Sequence, residues 1–331
     1  MKKLLILPCL FIFTTSFFVS AQVKHPENIL GADISFLPEL EAKGMVFSDQ
    51  GVAKDALLIL KEKGFNYIRL RIFVDPSADS GYSPKKGFCD LAHTLVMAKR
   101  MKAVGMKFLL DFHYSDNWAD PGHQIKPSAW EKLSFPEMKQ ALKNHTMEVL
   151  SALKKQHTFP DMIQVGNEIN HGIVWPEGSN ANMDQLIDLL KEGVAGVRAV
   201  SKSVPIMMHL ACGGQNEESV KFLDQLIAAN LSFDVIGQSY YPQWHGTLDD
   251  LKNNLTDLAK RYRQEIIVVE YTAFKKEVND IAFSISNKKM KGSFIWEPLN
   301  TWERIFEKDG KSNNLINFYP EISKKWIGNS Q

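Results

Sequence analysis

The sequence has 331 residues and is nearly balanced in charge, with 39 lysine and arginine residues against 38 aspartate and glutamate residues. This balance excludes the strong basic excess that is typical of nucleic-acid-binding proteins. The length suits one large domain, and we expect a monomer because nothing in the sequence points to an obligate partner.

The N-terminal segment has the pattern of a secretory signal peptide. Two lysines precede an apolar run over residues 4–19, and the small pair Ser20-Ala21 follows it. The run is short and interrupted for a membrane anchor, and no later segment is apolar enough to cross a membrane. We therefore predict a signal peptide over residues 1–21, one domain over 22–331, and a secreted or periplasmic protein without membrane contact after cleavage.

Eight short apolar segments then alternate with helical patterns. The predicted strands are 32–36, 67–73, 107–113, 162–168, 205–210, 233–241, 265–271 and 292–297. The predicted helices are 52–63, 91–104, 135–155, 183–200, 217–229 and 248–263, with at most a short helix within 272–291. Eight strands joined by helices predict parallel pairing and a single-domain (β/α)8 TIM barrel. An open doubly wound sheet is the alternative, but no glycine-rich phosphate turn follows the first strand.

Polar side chains gather at the C-terminal ends of these strands, which a barrel collects into one ring. Glu168 ends the fourth predicted strand beside Asn167, and Glu270 ends the seventh. A glycosidase needs two carboxyl groups, of which one keeps its proton while the other stays ionised. Glu168 and Glu270 are the candidates, and Asn167 can donate to a sugar hydroxyl. Taken alone, Glu270 would be interpreted as the first solvated position at the end of an apolar strand.

The second predicted strand places Arg69 and Arg71 on one face, two residues apart. An inward arginine close to Glu270 would keep that carboxylate charged. A structural ion pair inside the barrel is an alternative of nearly equal weight. Tyr240 or Tyr241 could hydrogen-bond the nucleophile, while the other tyrosine packs.

Aromatic residues recur at or just after the strand ends. Indoles at the mouth of a cleft can stack on the apolar faces of sugar rings, although any single indole is more often a packing residue. Four of them on one rim favour a sugar-binding platform. These residues are Trp118, Trp175, Trp244 and Trp296.

The histidines and cysteines do not have the spacing of a metal site. His113, His209 and His245 fall on different strands, and hydrogen bonding to a sugar or to the glutamates is the favoured interpretation. Cys89 and Cys212 have no ligand neighbours at zinc spacing, and a disulfide between them is possible but not expected. We predict neither a metal nor a cofactor.

The third-strand segment over residues 111–124 reads Asp-Phe-His-Tyr-Ser-Asp-Asn-Trp-Ala-Asp-Pro-Gly-His-Gln. It resembles the signature of the arabinogalactan endo-β-1,4-galactanases, glycoside hydrolase family 53. Further resemblances occur in chain order at residues 31–35, 69–71, 165–168, 175–176, 239–242 and 296–298. The resemblance implies a (β/α)8 enzyme that cleaves internal β-1,4-galactosidic bonds of galactan or arabinogalactan with retention.

The resemblance also assigns roles to individual residues. It implies that Glu168 is the acid/base and Glu270 the nucleophile. It implies a surrounding active-site shell and a loop that contacts the polysaccharide. The shell residues are Arg69, Arg71, His113, Asn167, Tyr240 and Trp296, and the loop residues are Asp116, Trp118 and Asp120.

The sequence also departs from the family pattern. Ala211 stands where an aspartate is usual, and Gln243 and Asn300 stand where aromatic residues are usual, so the sugar subsites are expected to differ. The loop over residues 274–280 is short for the calcium loop of some members, and we predict no calcium. The alternatives to a galactanase are another β-1,4-glycanase (a mannanase, xylanase or glucanase) and a barrel that only binds carbohydrate.

Overall fold

A computed structural model describes residues 27–285 and 289–328, and the predicted signal peptide lies outside the described residues. Eight parallel strands close into a barrel in the order β1-β10-β9-β8-β7-β6-β5-β4, and β2 and β3 form a separate antiparallel pair. The strands are β1 (Ile29–Asp33), β2 (Ser48–Asp49), β3 (Val52–Ala53), β4 (Tyr67–Ile72), β5 (Lys107–Phe112), β6 (Met162–Val165), β7 (Ile206–Leu210), β8 (Val235–Tyr240), β9 (Glu265–Tyr271) and β10 (Met290–Trp296). The predicted (β/α)8 barrel is therefore confirmed.

Helices surround the barrel and join successive strands. They are α1 (Leu37–Ala42), α2 (Ala56–Glu62), α3 (Leu91–Ala103), α4 (Phe135–Lys155), α5 (Met183–Val200), α6 (Asn216–Ala228), α7 (Pro242–His245), α8 (Leu248–Arg261), α9 (Lys275–Ser284) and α10 (Phe318–Trp326). Short 3-10 turns occupy Ser128–Trp130, Ile169–His171, Asn180–Asn182 and Asn314–Asn317. Every helix in the described part of the chain is too short or too polar to traverse a lipid bilayer.

The longest helix, α4, shows how the sequence sets these boundaries. A capping box begins it, in which Ser134 and the Glu137 side chain satisfy free amide groups of the first turn. Apolar residues at three- and four-residue spacing, including Met138 and Leu142, face the barrel and are fully buried. On the neighbouring α5, a Cβ at Gly196 would lie 2.9 Å from Thr146, so the two helices approach closely only because this residue is glycine.

The barrel interior has an apolar floor with a polar layer above it. Alternate residues of each strand point inward. On β4, Tyr67 belongs to the floor and Arg69, two residues on, to the polar layer, whereas Ile68 packs outward against the helices. The floor comprises Ile29, Tyr67, Leu109, Met162, Met207, Val235, Ile267, Val269 and Phe294. The polar layer comprises Asp33, Arg69, Asp111, Gln164, His209 and Glu270, all of them buried.

Several predicted boundaries were wrong, and the fourth predicted strand ends at Val165 rather than at residue 168. The first strand ends at Asp33 rather than at residue 36, because the chain turns there into α1, which has proline in its first turn. The helix predicted over 52–63 begins at Ala56, where the Asp55 side chain caps it. The seventh connection holds the ten-residue helix α9, in agreement with the short helix predicted there. Cys89 and Cys212 are both free and buried.

Candidate active site

Two carboxyl groups face each other at the C-terminal mouth of the barrel. Glu168 follows β6 and has left-handed backbone geometry with φ 48° and ψ 53°. Glu270 lies near the end of β9. One oxygen of each carboxyl lies within 4.8 Å of the other. This proximity is in keeping with the ~5–5.5 Å carboxyl separation of retaining glycosidases.

The pair opens into a cavity of about 590 Å³ at this end of the barrel. Both glutamates are more than nine-tenths buried, so water reaches them only through the cavity. Most of the residues predicted for the site line it. They are Arg69, Arg71, His113, Trp118, Asp120, Asn167, Glu168, Glu270 and Trp296. Asp116 and Tyr240 lie outside it.

Arg69 donates all of its hydrogen bonds to side chains around the polar layer beneath the cavity. Its Nη1 donates to Glu270 Oε1 over 2.6 Å, so a guanidinium lies directly against the proposed nucleophile. All of its polar atoms have protein acceptors, and none remains for a sugar. The acceptors are Gln164 Oε1, Asp33 Oδ2, Glu270 Oε1, Asp111 Oδ2 and Asn167 Oδ1. Arg69 thus forms a structural ion-pair network and stabilises the Glu270 charge.

The surroundings of the two glutamates differ in the way that acid/base chemistry requires. Burial, followed by the charge of Glu270, raises the pKa of Glu168 to about 8. Burial also raises the pKa of Glu270, but Arg69 and a 2.8 Å hydrogen bond from the Tyr241 hydroxyl oppose this rise. Because these two contacts stabilise the charged form of Glu270, the shared proton resides on Glu168.

The tyrosine beside Glu270 is Tyr241, not Tyr240. The Tyr240 hydroxyl donates to the Gly246 carbonyl at 3.1 Å, and its ring packs among the buried residues outside the barrel. The pairing of β8 with β9 shifts register after Gln238, and such an irregularity re-aims the side chains that follow it. Tyr241, rather than the predicted Tyr240, therefore lines the cavity and contacts Glu270.

Asp116 has a structural role within its own loop. Its Oδ2 accepts hydrogen bonds from the Ser128 amide at 2.8 Å and the Ser128 hydroxyl at 2.7 Å, and its Oδ1 accepts from the Asp75 amide at 3.0 Å. These bonds turn the carboxylate away from the main cavity. Asp120, by contrast, lines the cavity, and its side chain is 40% exposed.

Arg71 supports the aromatic side of the cavity. Its Nη1 donates to Glu297 Oε1 at 2.5 Å. Its guanidinium carbon lies 4.3 Å from the ring centroid of Trp118 and 4.5 Å from that of Phe36, which are cation–π distances. Glu297, which the sequence analysis did not select, is fully buried and also accepts a hydrogen bond from the Phe36 amide.

Four aromatic residues form one edge of the cavity, here called the aromatic rim. They are Tyr241, Trp244, Trp296 and Trp302. Trp244 and Trp302 are 60% and 62% exposed, and their ring centroids lie 6.1 Å apart. Trp302 was missed from sequence, although an aromatic residue two positions after Asn300 was a visible signal. Trp175 lies away from the cavity, where its indole donates to the His171 carbonyl at 3.0 Å.

Glu168, His209 and Glu270 place one potential metal-ligand atom each within 4.8 Å of one another. The His209 ring is already engaged on both sides, because Nδ1 lies 2.8 Å from Asn167 Oδ1 and Nε2 lies 2.8 Å from Ser239 Oγ. Burial lowers the pKa of His209 well below its usual value, so the ring is neutral. The geometry therefore suits an acid/base pair with a buried histidine better than a metal centre.

The barrel fold and the opposed carboxyl pair at its mouth define a barrel glycoside hydrolase. The sequence model of Glycosyl hydrolase family 53 matches residues 29–295, and the chain belongs to this family. The resemblance predicted from the third-strand segment is therefore confirmed.

Sequence relatives and a solved structure agree with this membership. An endo-beta-1,4-galactanase of Bacillus subtilis is 30% identical over 354 residues, covering 92% of this chain and 81% of the relative. An arabinogalactan endo-beta-1,4-galactanase A of Aspergillus niger is 33% identical over 278 residues, covering 78% and 77%. The solved GH53 catalytic domain of Ignisphaera aggregans is 34% identical with a TM-score of 0.84, covering 91% of this chain and 98% of that one.

Proposed function

We propose that this chain is a retaining endo-β-1,4-galactanase that hydrolyses internal bonds of galactan or arabinogalactan. The observation that carries the proposal is the pair Glu168 and Glu270, whose oxygens lie within 4.8 Å and whose environments differ. The substrate class is supported by the galactanase names of the Bacillus and Aspergillus relatives.

In the proposed first step, Glu168 protonates the glycosidic oxygen while Glu270 attacks the anomeric carbon. The bond to the leaving sugar breaks, and a covalent galactosyl ester forms on Glu270. Arg69 and Tyr241 keep Glu270 ionised until it attacks. In the second step Glu168 takes a proton from water, and the resulting hydroxide displaces Glu270 with a second inversion, so the configuration is retained overall.

The proposed substrate-binding groups surround this pair. Asn167 donates one amide hydrogen to the Ala119 carbonyl at 2.8 Å, which leaves the other hydrogen for a sugar hydroxyl. His113 lines the cavity, and its Nδ1 accepts from the Ala119 amide at 3.1 Å. The aromatic rim supplies exposed indole faces for sugar stacking. An open cavity edge suits cleavage inside a long chain, because the substrate can extend in both directions.

We also propose that residues 1–21 act as a signal peptide and that the mature enzyme is an exported monomer. The support is the charged, apolar and small-residue pattern of the segment. Expression in a bacterial host, followed by intact-mass analysis of the extracellular and periplasmic fractions, tests this. A mature N-terminus at residue 22 is expected, and a full-length cytoplasmic product would contradict it. Light scattering of the purified protein measures the oligomeric state.

Substrate specificity is tested by incubating the purified enzyme with a panel of galactan, arabinogalactan, mannan, xylan and β-glucan. Rapid shortening of galactan with release of oligosaccharides is expected. Proton NMR of the first products should show the β anomer before mutarotation. Cleavage of mannan, xylan or glucan with intact galactan would assign the chain another substrate, and an initial α anomer would exclude retention.

The nucleophile is tested with Glu270→Ala, which should abolish turnover while galacto-oligosaccharide binding persists in calorimetry. Glu217→Gln, an exposed change on α6, is the matched control and should leave the rate unchanged. A Glu270→Ala variant with the wild-type rate would remove this residue from the mechanism. A wild type that binds galactan but cleaves no glycan would indicate a binding protein.

A further inference from the structure

Part of the cavity lining is polar, in contrast to the aromatic rim, and is here called the polar wall. Its residues come from the turn after β6 and from the segment that follows β7. They are Asn170, His171, Gln215 and Glu218. The catalytic steps proposed above use none of these side chains, although all of them line the same cavity as the two glutamates.

The polar wall lies beside the proposed acid. Two of its residues belong to the 3-10 turn Ile169–His171, which directly follows Glu168. The other two belong to the segment that leads from β7 into α6, and Glu218 lies in the first turn of that helix. Because β6 and β7 are neighbours in the barrel, these two connections leave its mouth side by side. Glu270, the proposed nucleophile, belongs to β9, three strands away from β6.

A buried asparagine holds the Glu218 carboxylate in place. Asn170 is 5% exposed, and its Nδ2 donates to Glu218 Oε1 at 2.6 Å. Its Oδ1 accepts a hydrogen bond from the Ala211 amide at 3.0 Å. A flipped amide would set Nδ2 against that N–H group, with donor facing donor, so the orientation of the Asn170 side chain is fixed. Glu218 is therefore anchored through one oxygen to a buried group.

His171 lies against the same carboxylate oxygen. Its Nδ1 lies 2.9 Å from the Pro121 carbonyl oxygen, which can only accept, so Nδ1 carries a proton. Its Nε2 lies 3.4 Å from Glu218 Oε1. Protein groups therefore surround Oε1 of Glu218, and a ligand in the cavity would bind the other oxygen, Oε2.

Two oxygens of the polar wall accept no hydrogen bond from any residue that the structure describes. One is Oε2 of Glu218, whose side chain is 41% exposed. The other is Oε1 of Gln215, because Nε2 of this amide donates to the Trp244 carbonyl at 2.8 Å and so fixes which atom is left. Oxygens that can only accept are suited to the hydroxyl groups of a sugar, which can donate.

We propose that Glu218, positioned by Asn170, accepts a hydrogen bond from a hydroxyl group of the leaving sugar, and that the polar wall is the binding site for this sugar. The inference rests on the proposed function, in which Glu168 protonates the oxygen of the leaving sugar. Glu270 attacks the anomeric carbon from the opposite side, so the leaving sugar lies on the Glu168 side of the cavity. The ligand is a neutral sugar, because a carboxylate repels an acidic one.

The first test compares two substrates of Glu218→Ala that differ in the leaving group. Galactotetraose releases a sugar, whereas an aryl β-galactobioside releases a phenol, which lacks the hydroxyl groups of a sugar. We expect kcat/KM for galactotetraose to fall about tenfold, the size of one hydrogen bond to a charged group. The value of kcat/KM for the aryl galactobioside should stay unchanged.

The matched control is Glu217→Ala, which removes an exposed carboxylate from the same turn of α6 and should match wild type on both substrates. An equal fall on both substrates in Glu218→Ala would overturn the proposal, because Glu218 would then act only by holding the turn behind Glu168. Unchanged rates on both substrates would overturn it as well. Either result in an active galactanase rejects this inference alone, whereas a wild type that cleaves no glycan rejects the proposed function with it.

The second test uses the covalent intermediate. By microscopic reversibility, an acceptor sugar binds where the leaving sugar was bound. With the aryl galactobioside as donor and galactobiose as acceptor, chromatography measures the ratio of transfer products to hydrolysis products. This ratio should be about tenfold lower in Glu218→Ala than in wild type, through loss of the same hydrogen bond. An unchanged ratio, or no transfer in the wild type, would overturn the proposal.

Discussion

Arg69 Nη1 lies 2.6 Å from Glu270 Oε1 and joins β4 to β9 across the mouth of the barrel. The same guanidinium also binds Asp33 at 3.0 Å and Asp111 at 2.8 Å. One buried cation therefore contacts three carboxylates, and its charge favours the ionised form of the proposed nucleophile. The stability of the barrel mouth and the chemistry of the site consequently depend on the same side chain.

Replacing Arg69 with glutamine should destabilise the protein and inactivate it. Removing the cation takes its charge away from three buried carboxylates, and breaking a buried ion pair costs about 3–5 kcal/mol. Urea unfolding of Arg69→Gln against wild type measures this loss, and galactan hydrolysis measures the activity. Lys43→Ala, which removes an exposed ion pair, is the control and should unfold like wild type. Equal stability of Arg69→Gln and wild type would contradict the network described here.

The raised pKa of Glu168 predicts a pH-dependent stability. Because burial raises this pKa from 4.5 to about 8, the folded state binds the proton more tightly than the unfolded chain. The stabilisation is complete below pH 4.5 and is lost as the pH rises through about 8. Glu168→Gln carries no charge at any pH, so it should melt near wild type at pH 4.5 and at a higher temperature at pH 9.

Thermal melts of wild type and Glu168→Gln between pH 4.5 and 9 measure how the difference in Tm changes with pH. Glu217→Gln, which is exposed on α6, provides the comparison and should follow the wild-type curve. A constant difference in Tm between Glu168→Gln and wild type across the whole range would show that Glu168 does not retain its proton in the folded state.

Trp302→Ala should weaken the binding of long substrates without affecting the chemical step. The indole is 62% exposed at the aromatic rim, so its removal leaves the core intact. A stacking contact contributes about 0.5–1.5 kcal/mol, which corresponds to a rise in KM of roughly two- to tenfold. Initial rates on galactan measure KM, while kcat on a short aryl galactoside should stay unchanged. Phe318→Ala, on α10, is the control, and an unchanged KM in Trp302→Ala would exclude Trp302 from substrate binding.

Removal of divalent cations with a chelator should change neither the activity nor the Tm of this enzyme. The segment after β9 forms the helix α9, and its Asp280 carboxylate is paired with Lys325 at 2.7 Å. A hard cation needs several converging oxygen ligands, which this helix does not present. Galactan hydrolysis and Tm should be the same after dialysis against EDTA as after addition of calcium. A fall in Tm with EDTA that calcium reverses would reveal a site that this loop was not expected to hold.

Features that depend on periodicity and strand ends were predictable from the sequence. The alternation of strands and helices predicted the barrel, and Glu168 and Glu270 were selected because each ends an apolar strand. The two interpretations of Arg69 could not be separated, since the sequence does not show how many acceptors surround a guanidinium. In the structure the same side chain contacts the nucleophile and forms the ion-pair network.

Features that depend on local irregularity were not predictable. Tyr240 and Tyr241 are adjacent, and strand alternation alone cannot allow for the register shift that turns Tyr241 toward Glu270. His209 and Ser239 lie 30 residues apart in the chain, and only the pairing of β7 with β8 brings them together. Trp302 lies in the connection after β10, where no periodic pattern fixes the direction of a side chain.

The division between the polar layer and the aromatic rim has an evolutionary consequence. The polar layer contains strand residues such as Arg69 and His209, which are buried and both contact Asn167 Oδ1. Trp244 lies on the short helix α7 and Trp302 in the connection after β10, and within the described residues the hydrogen bonds of Trp244 go to Tyr241 and Gln215 rather than to that layer. Substitutions at such exposed positions can therefore change the length of polysaccharide that is accepted. The buried polar layer and the glutamate pair stay the same while the rim varies.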